Sequence, residues 1–407
     1  MTSRPHHVLI AGGGVAGLEA MLALRALAPD DARVTLVTPD TDFVYRPLST
    51  GEAFDRTTAK SYPIERLTRE SGAVWKKDAI VSVDADRRTV TTVEGRQHVY
   101  DTLIVALGAE RHAVLDDVLT FTDQSSVPGF RDLLERLRSG HSHSVAFLVP
   151  RGVVWPFPLY ELALMTGELV RNEGLDVKLT MVTSASAPLA LFGRPASDAM
   201  ATMLAERSIE VVAGNIPSRV TAPGRVLLEP DDHVVVADEL VALPELIGPE
   251  LPRGLPRASD QFIPTDERGR VPGADGVYAA GDCANYPIKQ GGLAAQQADL
   301  VVEDLVARLR GIEPPAPTTP VLRGVLLTGA GRSYLRAGDF GDPESIVSGH
   351  ALWWPPSKIA GRYLAPCLGV ADEREALERE AAEAGIEVEV PVRPSDDSLH
   401  DLARELA

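Results

Sequence analysis

His7-Val8-Leu9-Ile10-Ala11-Gly12-Gly13-Gly14-Val15-Ala16-Gly17-Leu18-Glu19-Ala20 is the stretch that decides the fold. The apolar run Val8 to Ala11 is too short for a helix and reads as a buried strand. Gly12-x-Gly14-x-x-Gly17 follows it. Val15, Leu18, Leu22, Ala26 and Leu27 then recur at helical spacing. Each glycine has a physical task in such a strand–turn–helix. Gly12 allows a tight turn, Gly14 lets a pyrophosphate approach the backbone, and Gly17 lets the helix lie close on the strand. The unpaired N–H groups and positive end of the helix favour phosphate. With a strand before it and a helix after it, the pattern points to a dinucleotide.

The chain has 407 residues, room for two or three domains of about 100–200 residues each. Hydrophobic residues are 44% and charged residues 24%, enough apolar material for a sizeable core. A formal charge of −18 argues against nucleic-acid binding and against an electrostatic hold on anionic lipid. Cys283 and Cys367 are the only cysteines; they make no disulfide framework and suit a reducing, cytoplasmic setting. The N-terminal apolar patch is broken by glycines and lacks a cleavage-site pattern, so no signal peptide is expected. No stretch reaches about 18 continuous apolar residues, so no transmembrane helix is expected either.

Further along, Val34 to Val37 reads as a second strand, with Thr38-Pro39 where an acidic ribose ligand would normally end it. Ribose is then held by Thr38, by Asp40 or by backbone; Asp40 and Asp42 read equally well as a turn pair. Phe43 to Leu48 reads as extended, and Tyr62 to Glu70 as a short helix. Ile80 to Asp84 and Thr89 to Val93 alternate like antiparallel strands. Tyr100 to Ala109 is a strand running into a glycine turn. Val145 to Val149 restarts the βα pattern, which continues with helices at Leu159 to Asn172 and Met200 to Arg207 and a hairpin across Pro230 to Asp232. Val277 to Ala284 is a third strand-to-glycine junction, and a helix from about Gly292 to Arg310 follows. After the linker Glu313 to Pro317, Val321 to Thr328 and Tyr334 to Ala337 pair as strands. Glu373 to Ala384 and Asp397 to Leu406 read as helices. His141 and His143 share a loop with no third ligand nearby, so no metal site is expected.

Together, Gly12-x-Gly14-x-x-Gly17, Tyr100-Asp101-x-Leu103-Ile104-x-Ala106-x-Gly108 and Val277-Tyr278-Ala279-Ala280-Gly281-Asp282-Cys283 resemble the FAD-dependent pyridine nucleotide-disulfide oxidoreductases with two dinucleotide-binding domains. The resemblance covers about residues 6 to 310. Phe43-Val44-Tyr45-Arg46-Pro47 and Gly281 to Gln290 resemble most the branch of sulfide:quinone oxidoreductases, flavocytochrome c sulfide dehydrogenases and type II NADH dehydrogenases. It implies an α/β fold: a Rossmann-like, doubly wound FAD domain (1–120 and 265–311), an inserted second α/β domain (121–264) and a C-terminal cap (312–407). It also implies roles. Gly12, Gly13, Gly14, Val15, Ala16 and Gly17 would hold the FAD pyrophosphate, and Thr38 and Pro39 would lie at the ribose. Arg46, Pro47, Ala106 and Gly108 would pass close to the cofactor. Ile80 would reach adenine through its backbone, and Gly281 and Asp282 would meet the ribityl chain. Lys289 and Gln290 would lie near the flavin pyrimidine, where a cation stabilises a reduced flavin; a solvated lysine is the alternative.

The departures bear on function. Where an NADH-using member would carry a second glycine fingerprint, the chain reads Pro150-Arg151-Gly152-Val153-Val154-Trp155-Pro156-Phe157-Pro158-Leu159-Tyr160-Glu161. Side chains at Val153, Val154 and Trp155 argue against tight NAD(P)H binding there. In sulfide:quinone oxidoreductases a cysteine falls at about Trp155, and paired thiols beside the flavin carry sulfur. Here Cys367 resembles one family cysteine, and its partner is absent; it is either a single flavin-facing thiol or a small buried residue. Trp155, Tyr160, Trp353 and Trp354 are candidates to line a substrate or quinone pocket. The Trp353-Trp354 pair is equally a core element or a subunit contact, as in a homodimer.

The expectation is a non-covalent FAD oxidoreductase, cytoplasmic or peripheral to a membrane, without paired redox cysteines. It would pass electrons from a small donor to a quinone or another acceptor. An NAD(P)H:acceptor oxidoreductase with an atypical nicotinamide site and a non-turnover flavin sensor or scaffold are the alternatives.

Overall fold

The strand His6–Ala11 forms the centre of a five-stranded parallel sheet. The order is Val277–Ala279, Thr102–Val105, His6–Ala11, Ala32–Val37 and Val74–Lys76. A strand covered on both faces needs apolar residues at every position, and Val8, Leu9 and Ile10 are all fully buried. Their alternation sorts the two faces. Val8 and Ile10 pack with the helices Val15–Leu27 and Gly291–Arg310. Leu9 and Ala11 pack against a three-stranded antiparallel meander, Ile80–Asp84, Thr89–Thr92 and Gln97–Val99. Burial of each such large side chain contributes roughly 1.5–3 kcal/mol.

The computed structural model describes residues 4–338, 342–369 and 371–372. The helices expected at Glu373 to Ala384 and Asp397 to Leu406 lie outside the described residues.

A second parallel sheet repeats the design. Its order is Leu119–Thr120, Glu239–Ala242, Ser144–Leu148, Lys178–Thr183 and Ile209–Ala213. Val145 and Phe147 face the helices Val127–Arg138 and Phe157–Glu173, whereas Ala146 and Leu148 face a second meander built from Ile216–Ala222, Arg225–Glu229 and His233–Val236. The chain crosses between the two units twice. The crossings, Glu110–His112 and Glu245–Ile247, pair with each other as antiparallel strands.

Beyond the long helix, Leu322–Leu327, Arg332–Ala337 and Ile346–Ser348 form an antiparallel sheet. Its Leu322, Leu326 and Leu335 join the core of the second unit. The chain then returns to the first unit, where Ile359, Leu364 and Leu368 are buried among its helices.

Three local expectations change. The helix expected at Met200 to Arg207 begins earlier, at Arg194, because Pro195 fits a first helical turn. The extended reading of Phe43 to Leu48 holds only for the strand Asp42–Val44; Pro47 then sits in the single 3-10 turn Arg46–Leu48. The C-terminal pair of strands gains a third.

Candidate active site

The glycine turn shows why each glycine is needed. Gly12 has φ +112°, and a Cβ there would run into the Ala106 carbonyl. A Cβ on Gly17 would strike the Gly12 carbonyl, so helix and strand could not stay this close. At Gly14 a Cβ would meet nothing within 4 Å. The helix Val15–Leu27 opens directly after it with no side chain capping its first turn. Uncapped N–H groups therefore face open space, the arrangement that accepts a diphosphate. The neighbouring strand delivers Ala106 and Gly108 beside this turn. Gly281, at φ +78°, packs against Ala16 and donates its N–H to Gln297 Oε1 at 2.8 Å. Thr38 is buried at the end of Ala32–Val37, and its hydroxyl donates to Asp40 at 3.2 Å; Pro39 is exposed beside it. Ile80 is half-buried at the start of the first meander.

A cleft runs between the two units and the C-terminal segment. Arg46, Pro47, Ser49 and Thr50 line it from the first unit, and Asp282, Lys289 and Gln290 from the third glycine junction. Trp155, Phe157 and Glu161 come from the second unit, and Lys358 and Ile359 from the C-terminal segment. Lys289 is buried, not solvated. Its Nζ donates to the Ala284 carbonyl at 2.5 Å and lies 3.6 Å from the centre of the Phe262 ring. Burial holds its pKa below the ordinary lysine value, and Asp282 works against that. Burial pushes the Asp282 carboxyl up, opposed by Lys289, Arg111 and Arg46. Gln290 caps the long helix: its Oε1 accepts from Leu293 N at 2.8 Å, and its Nε2 donates to Arg323 O at 3.2 Å.

The most committed electrostatic feature of the cleft is Glu161 with Lys358. Lys358 Nζ donates to Glu161 at 2.7 Å and to Pro47 O at 2.7 Å. Glu161 also accepts from the Thr50 hydroxyl at 2.8 Å and from Leu327 N at 2.9 Å. Burial lowers the Lys358 pKa, and the Glu161 carboxylate opposes the shift. Beside this cluster, Ser49 Oγ is buried in the cleft wall without a hydrogen-bond partner. Such an orphaned hydroxyl suits a polar group of a bound ring system. The sequence alone gives Glu161 no role and does not single out Lys358 or Ser49. The available signal was a lone carboxylate inside the apolar stretch Leu159 to Met165.

The turn of the second unit is built differently from the first. The Trp155 ring stacks on Phe157, with centroids 5.0 Å apart and planes at 9°. Gly152 has φ +83°, and the Glu245 carboxylate sits over it where a Cβ would be. A carboxylate there repels a phosphate.

Not every candidate reaches the cleft. Tyr160 is fully buried in the second core and accepts from Leu189 N. Trp353 packs edge-on against Tyr334, and Trp354 is 76% exposed; neither lines the cleft. Cys283 is fully buried under the first sheet. Cys367 packs among the helices of the first unit, with Glu70, Glu19 and Arg66 as its charged neighbours, and does not line the cleft. Burial pushes both thiols up to about 11. Among the described residues no group of three or more His, Cys, Asp or Glu is arranged for a metal, and no helix is long and apolar enough to cross a membrane.

A profile of the pyridine nucleotide-disulphide oxidoreductase family matches residues 6–129 and 161–298. The sulfide-quinone reductase of Aquifex aeolicus is 27% identical over 259 residues, which are 60% of this chain and 60% of that protein. The ferredoxin reductase component of a Cupriavidus chlorobenzene dioxygenase is 24% identical over 84% of this chain and 82% of its own. The X-ray structure of the Aquifex aeolicus sulfide:quinone oxidoreductase superposes with a TM-score of 0.75 over 84% of this chain and 86% of that one, at 21% identity. The glycine junctions, the paired sheets and these matches agree: the chain belongs to the pyridine nucleotide-disulphide oxidoreductase family and is an FAD-dependent oxidoreductase.

Proposed function

We propose that the protein holds FAD non-covalently along Gly12 to Gly17 and the cleft, takes electrons from a small donor, and passes them to a quinone or another acceptor without a thiol relay. The observation that carries this reading is the cleft itself. A buried Glu161–Lys358 pair and the Lys289–Gln290 helix start converge on one space, and neither cysteine lines it. When bound, FAD supplies a two-electron acceptor that can also be discharged one electron at a time. The chain would do the rest. The open turn at Gly14 would take the diphosphate, and Ser49 Oγ and Gln290 would orient the ring system. Asp282 would accept from the ribityl chain. Lys289 and the helix behind it would favour negative charge at the pyrimidine end. Glu161 and Lys358, linked to Thr50, would hold a proton at the cleft wall for an acceptor that gains charge.

The donor reading rests on Glu245, Val153 and Trp155, which fill the place where a second dinucleotide would need bare backbone. The ferredoxin reductase relative supports a second reading, an NAD(P)H:acceptor oxidoreductase with an atypical nicotinamide site. Turnover with a donor panel and a soluble quinone separates the readings. We expect turnover with a donor other than NAD(P)H, and at least about tenfold less in Glu161→Gln, the scale of one lost proton-handling group. Turnover with NADH or NADPH alone favours the second reading. Bound flavin that none of the donors turns over leaves a sensor or scaffold.

A further inference from the structure

Residues 358–364 form a strap across the first unit and are pinned at both ends. Lys358 is held by Glu161 and Pro47, and Ile359 N donates to the buried Tyr45 hydroxyl at 2.8 Å. At the other end, Tyr363 N and Leu364 N donate to the two oxygens of Glu19 at 2.7 and 2.8 Å. Glu19 is fully buried in the helix Val15–Leu27, inside an otherwise apolar segment. Gly361 lies so close that a Cβ there would sit 2.5 Å from a Glu19 oxygen.

A second carboxyl faces Glu19. Asp299, on the packed helix Gly291–Arg310, is within hydrogen-bonding reach of it. Its Oδ1 is buried with no hydrogen-bond partner. The charged and titratable neighbours are few. Arg362 and Tyr363 lie on the strap and Glu303 on the long helix; Cys367, just past the strap, has Glu19 as a neighbour together with Glu70 and Arg66. Arg362 is the cation nearest the pair, and it is shared with Glu303 at 3.4 Å and 43% exposed. It cannot neutralise two buried carboxylates.

We propose that Glu19 and Asp299 share one proton, and that this proton latches the strap whose Lys358 and Ile359 wall the cleft. The proton resides on Asp299, which donates to Glu19; Glu19 stays an acceptor for the two strap N–H groups. Release of that proton to solvent leaves two like charges in an apolar helix interface, which is unfavourable until Glu19 gains water and lets Tyr363 and Leu364 go. Burial raises both carboxyls above their ordinary range, in the direction the latch requires. The sign follows from linkage. The closed strap binds one more proton than the open one, so opening rises about tenfold per pH unit from the ordinary carboxylate pKa up to the raised one, and then levels. The latch belongs to the chain and does not depend on the donor or acceptor.

Amide hydrogen exchange at Tyr363 and Leu364 in the full-length protein, corrected for intrinsic pH dependence, reads the latch directly. Between about pH 5 and pH 9, wild-type protection is expected to fall by at least about tenfold. In Asp299→Asn, whose amide donates without titrating, protection should stay level. A protonated-carboxyl infrared band at neutral pH should vanish in the same variant. Level wild-type protection overturns the proposal even if the variant fails to fold. So does an unchanged slope in Asp299→Asn, or a band that survives there.

Discussion

Lys358 Nζ lies 2.7 Å from both carboxylate oxygens of Glu161, and the two side chains are 9% and 1% exposed. They are 197 residues apart in the chain, so the pair ties the C-terminal segment to the helix that follows the second glycine-poor turn. Thr50 and Leu327 satisfy the remaining carboxylate lone pairs, which is what allows a buried ion pair to persist.

Removing one partner leaves the other charge buried and alone. Lys358→Met should therefore lower the unfolding free energy by about 3–5 kcal/mol. Adding Glu161→Gln should restore a part of it, since the two residues act as a unit. Urea denaturation of the two single variants and the double variant checks this; additive losses would contradict the pairing.

Gly12 and Gly14 should respond differently to alanine. Gly12→Ala puts a Cβ against the Ala106 carbonyl at a positive φ, so the fold itself should suffer. Gly14→Ala meets nothing in the protein, so apo stability should change by no more than about 0.5 kcal/mol. FAD retention should nonetheless fall at least about tenfold, because the Cβ enters the space left for the diphosphate. Gel filtration with flavin absorbance, beside thermal melts, distinguishes the two outcomes.

The thiols should be spectators. With both pushed up to about 11, only about one in a thousand is thiolate at pH 8. Alkylation of the native protein should be slow, and Cys367→Ser should keep turnover within about twofold. Loss of turnover in that variant would reinstate a thiol step.

Trp155 stacks on Phe157 in the cleft wall, so Trp155→Ala should weaken binding of an apolar substrate by about 0.5–1.5 kcal/mol. The effect should appear in KM and spare kcat. A fall in kcat alone would place the ring at the reacting atoms.

The parts of the fold that repeat locally were legible in the sequence. The three glycine junctions located the strand ends of the first sheet, and period-two and helical patterning located most elements around them. The long-range relationships carried no local signal. The pairing of Glu110–His112 with Glu245–Ile247, the seat of Glu245 over Gly152, and the Glu161–Lys358 pair all depend on how distant segments meet. Motif resemblance points Cys367 and Tyr160 toward the site, whereas Tyr160 is buried in the second core and Cys367 packs half-buried against the helices of the first unit. Glu19 and Glu161 did leave a trace, each a single carboxylate in a helix that is otherwise apolar at that point.

In the proposed function the flavin is charged by a small donor and not by a pyridine nucleotide. Anaerobic titration of the purified flavoprotein, followed by its visible absorbance, tests it most directly. NADH and NADPH at micromolar concentration are expected to leave the oxidised spectrum intact, while one member of a panel of small non-nucleotide donors bleaches it. Rapid bleaching by micromolar NADH or NADPH would contradict it.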